Sequence, residues 1–372
     1  MRIAYISFSF IPSRTANSLH VMKMCQAFAA NGHEVVLFAP AKKDEYEQNV
    51  DDIFSYYQVS RTFKVVRLPF PMIKGKFYVY WLGLMVSIWR YKPHIVYGRY
   101  VTGSYLATLL GFRTIFEVHD KVWQRLARDH KHFNSMLKSH NFVRLVAISE
   151  RLKKAYLEKK KIAASDITVA HDAADIPGHH QALSPWPGRK GKLQVGYVGH
   201  LYKGKGIEVI QAVAPALSEV DFHIVGGFDR DIEYWRSKLR EDNVYFHGFV
   251  PQNMLSYYIN AFDICLLPNQ KEVHTHGKFV SDIGEFTSPL KMFDYMAHQK
   301  TIIASDLPVL KEVLTHKINA WLCQADQPEQ WVEALLYLQH NPDIRKAISN
   351  QAFKDFNKHY TWEKRASKVL KV

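Results

Sequence analysis

Short apolar runs alternate with helix-like stretches along the whole chain, and the alternation restarts once. In the first half the runs are RIAYISF (2–8), EVVLFA (34–39), FKVVRL (63–68), HIVYG (94–98), TIFEV (114–118) and RLVAI (144–148). Each predicts a strand and the stretch after it a helix, and this repetition builds a parallel sheet with helices on both faces. After ITVAHDAAD the composition changes to IPGHHQALSPWPGRKGK (176–192), rich in proline, glycine and charge, which predicts a linker. The rhythm resumes with LQVGYVG (193–199), FHIVGG (222–227), VYFHGF (244–249), DICLLP (263–268) and TIIASD (301–306), then three helical segments.

The expected fold is therefore α/β, with two Rossmann-like doubly wound domains facing a cleft. The expected boundaries are 1–176 for the first domain, 177–192 for the linker and 193–357 for the second domain. A last helix, about 358–372, follows the second domain and is expected to pack back on the first. Ligands of such folds bind outside the carboxyl ends of the strands, and hinge motion about the linker would close the two halves.

Composition excludes several classes. The 372 residues are 47% hydrophobic and 23% charged, so the chain is neither disordered nor a collagen-like repeat. Three scattered cysteines, Cys25, Cys265 and Cys323, have no CxxC spacing and read as reduced core thiols of a cytosolic protein. The first segment lacks the apolar core and cleavage site of a signal peptide. The longest apolar stretch, FYVYWLGLMVSIW (77–89), is shorter than the ~20 residues a spanning helix requires.

Charge is uneven. Residues 1–180 hold 26 of the 49 Lys and Arg but only 14 of the 35 Asp and Glu. From Ile53 to Phe116 there is no acidic residue, while Lys74, Lys76, Arg90 and Lys92 flank the apolar stretch. An acid-free basic segment around an aromatic-rich helix points to an anionic membrane surface as partner. The plainer alternative is a buried helix with solvated basic flanks. No helix-turn-helix, zinc-finger or RNP pattern accompanies the charge, so nucleic acid is not an expected partner.

Three motifs could carry chemistry. In DIGEFTSPLKMFDYMAHQK, Ser288 is placed as an N-cap and Pro289 as the first helical residue. The free amides and positive dipole end of such a helix suit a pyrophosphate, with Lys291 and Asp294 on one face. In VGHLYKGKG, a turn with Gly199, Gly204 and Gly206 leads from strand to helix and presents Lys205, with His200 and Lys203 nearby. In TIFEVHD a strand delivers Glu117, His119 and Asp120 at its carboxyl end, where the histidine could donate to a sugar hydroxyl or shield developing charge.

Taken in order, SRTANSLHVMKMCQAFAANGHEV, VYGRY, FEVHD, VAISERLKKAY, VAHDAAD, GYVGHLYKGKG, HIVGG, VYFHGFVP, SPLKMFDYMA and YTWEKRA resemble the retaining glycosyltransferases of family four, in an SPLK-motif subgroup. That family has the two-Rossmann-domain GT-B fold. The resemblance implies sugar transfer from a UDP- or GDP-sugar with retention, no essential metal and no cofactor beyond the nucleotide-sugar co-substrate. The acceptor it implies is a saccharide or lipid-linked molecule in surface polysaccharide, lipopolysaccharide or glycolipid assembly. The expected location is cytoplasmic, peripheral on the inner face of the cytoplasmic membrane.

By matching position, His119 lies beside the donor sugar, Lys205 holds the phosphates and Asp294 binds ribose; these are the implied catalytic residues. Gly199, His200, Gly227, Thr287, Ser288, Pro289, Leu290 and Lys291 complete the implied donor site, and Arg14, Asn17 and Arg99 belong to the acceptor side. Three positions depart from the family pattern. Phe286 stands where the first glutamate of the acidic pair belongs, with Glu285 one residue off; the loop IPSRTANS lacks paired glycines; His200 replaces an arginine. The first and third of these changes bear on which donor sugar is used.

Asp229-Arg230-Asp231 resembles a metal-binding DxD, but its place at a helix start reads as a cap. His274 and His276 have ligand-like spacing without supporting residues, and the 269–286 segment is long enough for a lid over the donor. His33 ends the first helix, where a cation suits the dipole. Rival functions are a nucleotide-sugar 2-epimerase or a phosphorylase on the same fold, and a catalytically degenerate membrane-surface binding protein.

Overall fold

The apolar runs assemble into two wholly parallel sheets. The computed structural model describes residues 1–372 except 43, 160, 161, 179–183, 185, 274–283 and 372. The first sheet contains β1 (Arg2–Ile6), β2 (Glu34–Pro40), β3 (Lys64–Leu68), β4 (Ile95–Gly98), β5 (Thr114–Val118), β6 (Phe142–Ala147) and β7 (Ile167–Val169). Between them run α1 (Ala16–Ala30), α2 (Ile53–Tyr56), α3 (Lys76–Tyr91), α4 (Val101–Leu109), α5 (Ala127–Leu137) and α6 (Glu150–Glu158). The strand order is β3-β2-β1-β4-β5-β6-β7, so the winding reverses between β1 and β4. β4 and β5 are buried at every position, as strands covered on both faces must be.

The second sheet contains β8 (Leu193–Val198), β9 (Val220–Val225), β10 (Val244–Gly248), β11 (Ile264–Leu267), β12 (Thr301–Ser305) and β13 (Trp321–Cys323). Its helices are α7 (Ile207–Val213), α8 (Asp229–Lys238), α9 (Gln252–Ala261), α10 (Leu290–Ala297), α11 (Pro328–His340) and α12 (Pro342–His359). The order β10-β9-β8-β11-β12-β13 reverses between β8 and β11. Separate apolar cores cover this sheet, one including Ile224 and Trp331, the other Phe293 and Phe356. The last helix, α13, spans Trp362–Leu370.

The chain divides into Met1–Asp172 with Trp362–Val372, and Ala173–Thr361. The two compact units part after Asp172. Within the first unit α13 packs on α1, where the Asn31 side-chain amide donates to the Glu363 carbonyl at 2.9 Å and to Ser367 Oγ at 3.0 Å.

The described part of the 177–192 segment is anchored in the second unit and is no free linker. Trp186 Nε1 donates to Gln194 Oε1 at 2.7 Å, and its ring stacks on His247. Arg189 donates to the buried Asp221 carboxylate from its amide at 2.6 Å and from Nε at 2.8 Å. Residues 179–183 and 185 lie outside the described residues.

The apolar stretch 77–89 lies in α3 and is buried on one face only. Tyr80, Leu84 and Ile88, four residues apart, enter the core, whereas Leu82 and Trp89 are 61% and 62% exposed. Among the described residues no helix is long and apolar enough to cross a membrane. Cys25, Cys265 and Cys323 are buried free thiols.

Local chemistry corrects several capping expectations. α10 starts at Leu290 with Pro289 at the cap position and no side-chain cap, so Ser288 precedes the cap. α8 is preceded by Phe228, which places Asp229 and Asp231 in its first turn and not at the cap. Burial and the nearby amino terminus lower the His33 pKa, so at neutral pH this ring is no cation for the α1 dipole.

Candidate functional site

Each unit gathers polar side chains at the carboxyl edge of its sheet. In the first, β5 carries Glu117 to a fully buried position. One carboxylate oxygen accepts from Arg365 Nη1 of α13 at 3.0 Å and from the Tyr97 hydroxyl of β4. The other accepts from His119 Nε2 at 2.5 Å and lies 3.0 Å from His20 Nε2 of α1. His20 Nδ1 is 2.8 Å from Asp172 Oδ1, and Arg99 Nε is 3.8 Å from Glu117. Arg365 also donates to the carbonyls of His171 (2.8 Å) and Ala170 (3.2 Å).

Electrostatics fix the protonation of this cluster. Burial alone would push the Glu117 carboxyl up, but Arg365, His20 and the hydrogen bond from His119 hold it well below the carboxylate range. Burial, aided by Arg99, pushes His119 down to about 4, so the ring is neutral at pH 7. An ionised Glu117 can only accept, which puts the His119 proton on Nε2. Nδ1 is then a lone-pair acceptor. A ligand hydroxyl would donate to this side chain, which is 24% exposed, rather than receive from it.

His20, Glu117 and His119 could supply three metal ligands, since their candidate atoms lie within 4.8 Å of one another. The donor set suits a divalent ion. However, Glu117 is already shared with Arg365 and Tyr97, and Arg99 adds a second guanidinium, so the local charge opposes a cation.

In the second unit the edge is built from glycines. Gly199 (φ +137°) follows β8, and its carbonyl oxygen would lie 2.4 Å from a Cβ at Gly226, so the crossing needs a residue without one there. Tyr295, in the second turn of α10, accepts from the Val198 amide at 2.8 Å, which holds the helix beside this edge. Lys291 Nζ consequently sits 3.7 Å from the centroid of the Tyr197 ring. It is buried and makes no hydrogen bond among the described residues. Burial, then the charge of Lys205, push its pKa well down. Lys205, in the turn before α7, lies over the Tyr202 ring at 5.0 Å, and burial lowers it to about 8.

The other expected donor residues lie in the same unit. Thr287, Ser288 and Pro289 are buried in the approach to α10, Leu290 opens the helix, and Asp294 is half-buried one turn after Lys291. The His200 ring stacks with those of Tyr202 (5.6 Å) and Phe228 (5.3 Å). Gly227 is explained by packing, since a Cβ there would lie 2.6 Å from Leu201. Phe286 is buried and Glu285 exposed. His274, His276 and most of the expected lid at 269–286 lie outside the described residues.

In the first unit, Arg14 is paired with Glu47 and lies over the Tyr46 ring at 5.5 Å, and Asn17 donates to Ser9 Oγ at 2.6 Å. Asp120 is engaged by Arg125 Nε at 2.9 Å. His20, Tyr97, Asp172 and Arg365 were not singled out by their sequence motifs. They stand within the SRTANSLH, VYGRY, VAHDAAD and YTWEKRA stretches, where no local pattern marks them.

Residues 18–176 match the family model described as Glycosyltransferase Family 4, and residues 192–341 that described as Glycosyl transferases group 1. An uncharacterized glycosyltransferase of Methanocaldococcus jannaschii is 23% identical across 98% of this chain and 95% of its own. Sucrose-phosphate synthase from Thermosynechococcus elongatus has a similar fold (TM-score 0.76, 17% identity, 99% of this chain and 97% of that one). So does Anabaena HepE, solved with UDP and glucose (TM-score 0.74, 13% identity, 99% and 98%). The chain is thus a family-four-like glycosyltransferase, with the two Rossmann-like domains of the GT-B fold.

Proposed function

We propose that this protein is a retaining, metal-independent glycosyltransferase. It would take a sugar from a UDP- or GDP-sugar to a saccharide or lipid-linked acceptor, in the assembly of surface polysaccharide or glycolipid. The observation that carries the proposal is the Lys205–Lys291 pair. The two amino groups are close enough for the charge of Lys205 to lower the Lys291 pKa, and Lys291 has no hydrogen-bonding partner among the described residues. A diphosphate would neutralise both, and the UDP in the HepE structure supports that class of ligand.

The leaving nucleoside diphosphate gains negative charge as the glycosidic bond breaks. Lys205, Lys291 and the first amides of α10, which no side chain caps, would meet that charge, and removing one such donor costs roughly 3–4 kcal/mol. Asp294 would accept from ribose hydroxyls. Neutral His119, its Nε2 committed to Glu117, would accept from a hydroxyl of the donor sugar through Nδ1. Front-side attack needs no enzyme nucleophile, and the leaving phosphate can take the acceptor's proton.

Thermal-shift titration with UDP, GDP and ADP tests donor binding, because a ligand of the native state raises the melting temperature. One nucleotide should do so, undiminished by EDTA. Lys205→Ala should lower turnover about a hundredfold. Equal turnover, or loss of activity in EDTA, would remove the proposal.

A further inference from the structure

The outward face of α3 has the wrong chemistry for a helix facing water. Its inward face is ordinary, with Tyr80, Leu84 and Ile88 fully buried. The opposite face of a surface helix normally carries charge. Here it carries Tyr78 (72% exposed), Leu82 (61%), Val86 (49%) and Trp89 (62%), spaced along one stripe, with no charged residue between Phe77 and Trp89. Met72 and Ile73, at 78% and 59% exposure, extend the apolar surface just before the helix. Contiguous apolar exposure of this kind marks an interaction surface.

We infer that α3 docks in the plane of an anionic phospholipid bilayer. Charge selects this occupant. Lys74 and Lys76 stand at one end of the stripe, Arg90 and Lys92 at the other, and residues 53–116 contain no acid. A second copy meeting the first across a two-fold axis would set cation against cation. A bilayer offers apolar depth for Leu82 and Val86 together with anionic headgroups for the basic ends. Tyr78 and Trp89 match the headgroup level, where amphipathic aromatic rings concentrate. The helix is long enough to lie on the surface and too short to cross it.

Co-sedimentation of the full chain with phosphatidylcholine vesicles, with and without phosphatidylglycerol, tests the inference. No nucleotide or acceptor is present, so the result is independent of transferase activity. The parent protein should bind the anionic vesicles more tightly than the neutral ones. Leu82→Ser with Trp89→Ser should weaken partitioning to the anionic vesicles at least about tenfold. Lys74→Gln with Arg90→Gln should weaken it about fivefold per charge, and only when phosphatidylglycerol is present. All four side chains are exposed, so the melting temperatures should match that of the parent. Equal sedimentation of parent and variants would overturn the inference. So would a parent dimer in velocity sedimentation that the Leu82/Trp89 variant abolishes, since the occupant would then be a second copy.

Discussion

The two units bury charge in opposite ways. In the first, the Glu117 carboxylate is matched by Arg365 and enclosed by His20, His119 and Tyr97. In the second, Lys291 and Lys205 lie together with no carboxylate bound to either ammonium among the described residues. A buried ion whose partner is present holds its neighbours in place. A buried ion without one raises the energy of the empty protein and lowers it when a counter-ion arrives. The first arrangement orients His119; the second, under the proposed function, would receive an anion.

The sharpest way to break this contrast is to remove one cation from each unit. Arg365→Met leaves Glu117 buried without its guanidinium and should cost about 3–5 kcal/mol in urea unfolding. A loss below about 1 kcal/mol would mean that the network is not load-sharing in this way. Lys291→Met should do the reverse. It removes a buried amino group that has no hydrogen-bonding partner among the described residues, so the ligand-free protein should be no less stable than the parent, while affinity for the nucleoside diphosphate falls at least about thirtyfold.

A smaller effect separates the units by pH. Lys205 is lowered to about 8, so it is charged below that pH and neutral above it. Diphosphate affinity should fall above pH 8 by up to about tenfold per unit, with proton uptake on binding seen by calorimetry in two buffers. The stability of the ligand-free protein has the opposite sign. Unfolded lysine keeps its proton to about 10.4, so the unfolded state holds more protons between the two values and this group's contribution to stability rises with pH. Flat affinity from pH 7 to 9 would place Lys205 away from the phosphates.

The doubly wound sheets were legible because each parallel strand is a short apolar run set off by helices. β13 was missed: Trp321–Cys323 is three residues long with a partly exposed start, too little for a pattern to register. The segment before β8 reads as linker from its prolines and glycines. Its attachment to the second unit depends on Trp186 and Arg189 finding Gln194 and Asp221, which no local rule reveals. The lysine pair was visible because both members sit at backbone features, a glycine turn and a helix start. Arg365 was not, since its carboxylate partner lies 248 residues away. The donor role first suggested for His119 depended on a tautomer that only the position of Glu117 decides.

The return of α13 to the first unit has a kinetic side. The first unit needs Trp362–Val372, whereas Ala173–Thr361 is one continuous segment with its own cores. During vectorial synthesis, at about 5–20 residues per second, the second unit can condense roughly 10–40 s after the first has emerged, and before the first is complete. Throughout that interval Glu117 lacks the Arg365 guanidinium and has only the more distant Arg99 of the two. The earlier-made half of the molecule is therefore the later to mature, and ribosome-bound chains halted before Trp362 should expose it to proteolysis.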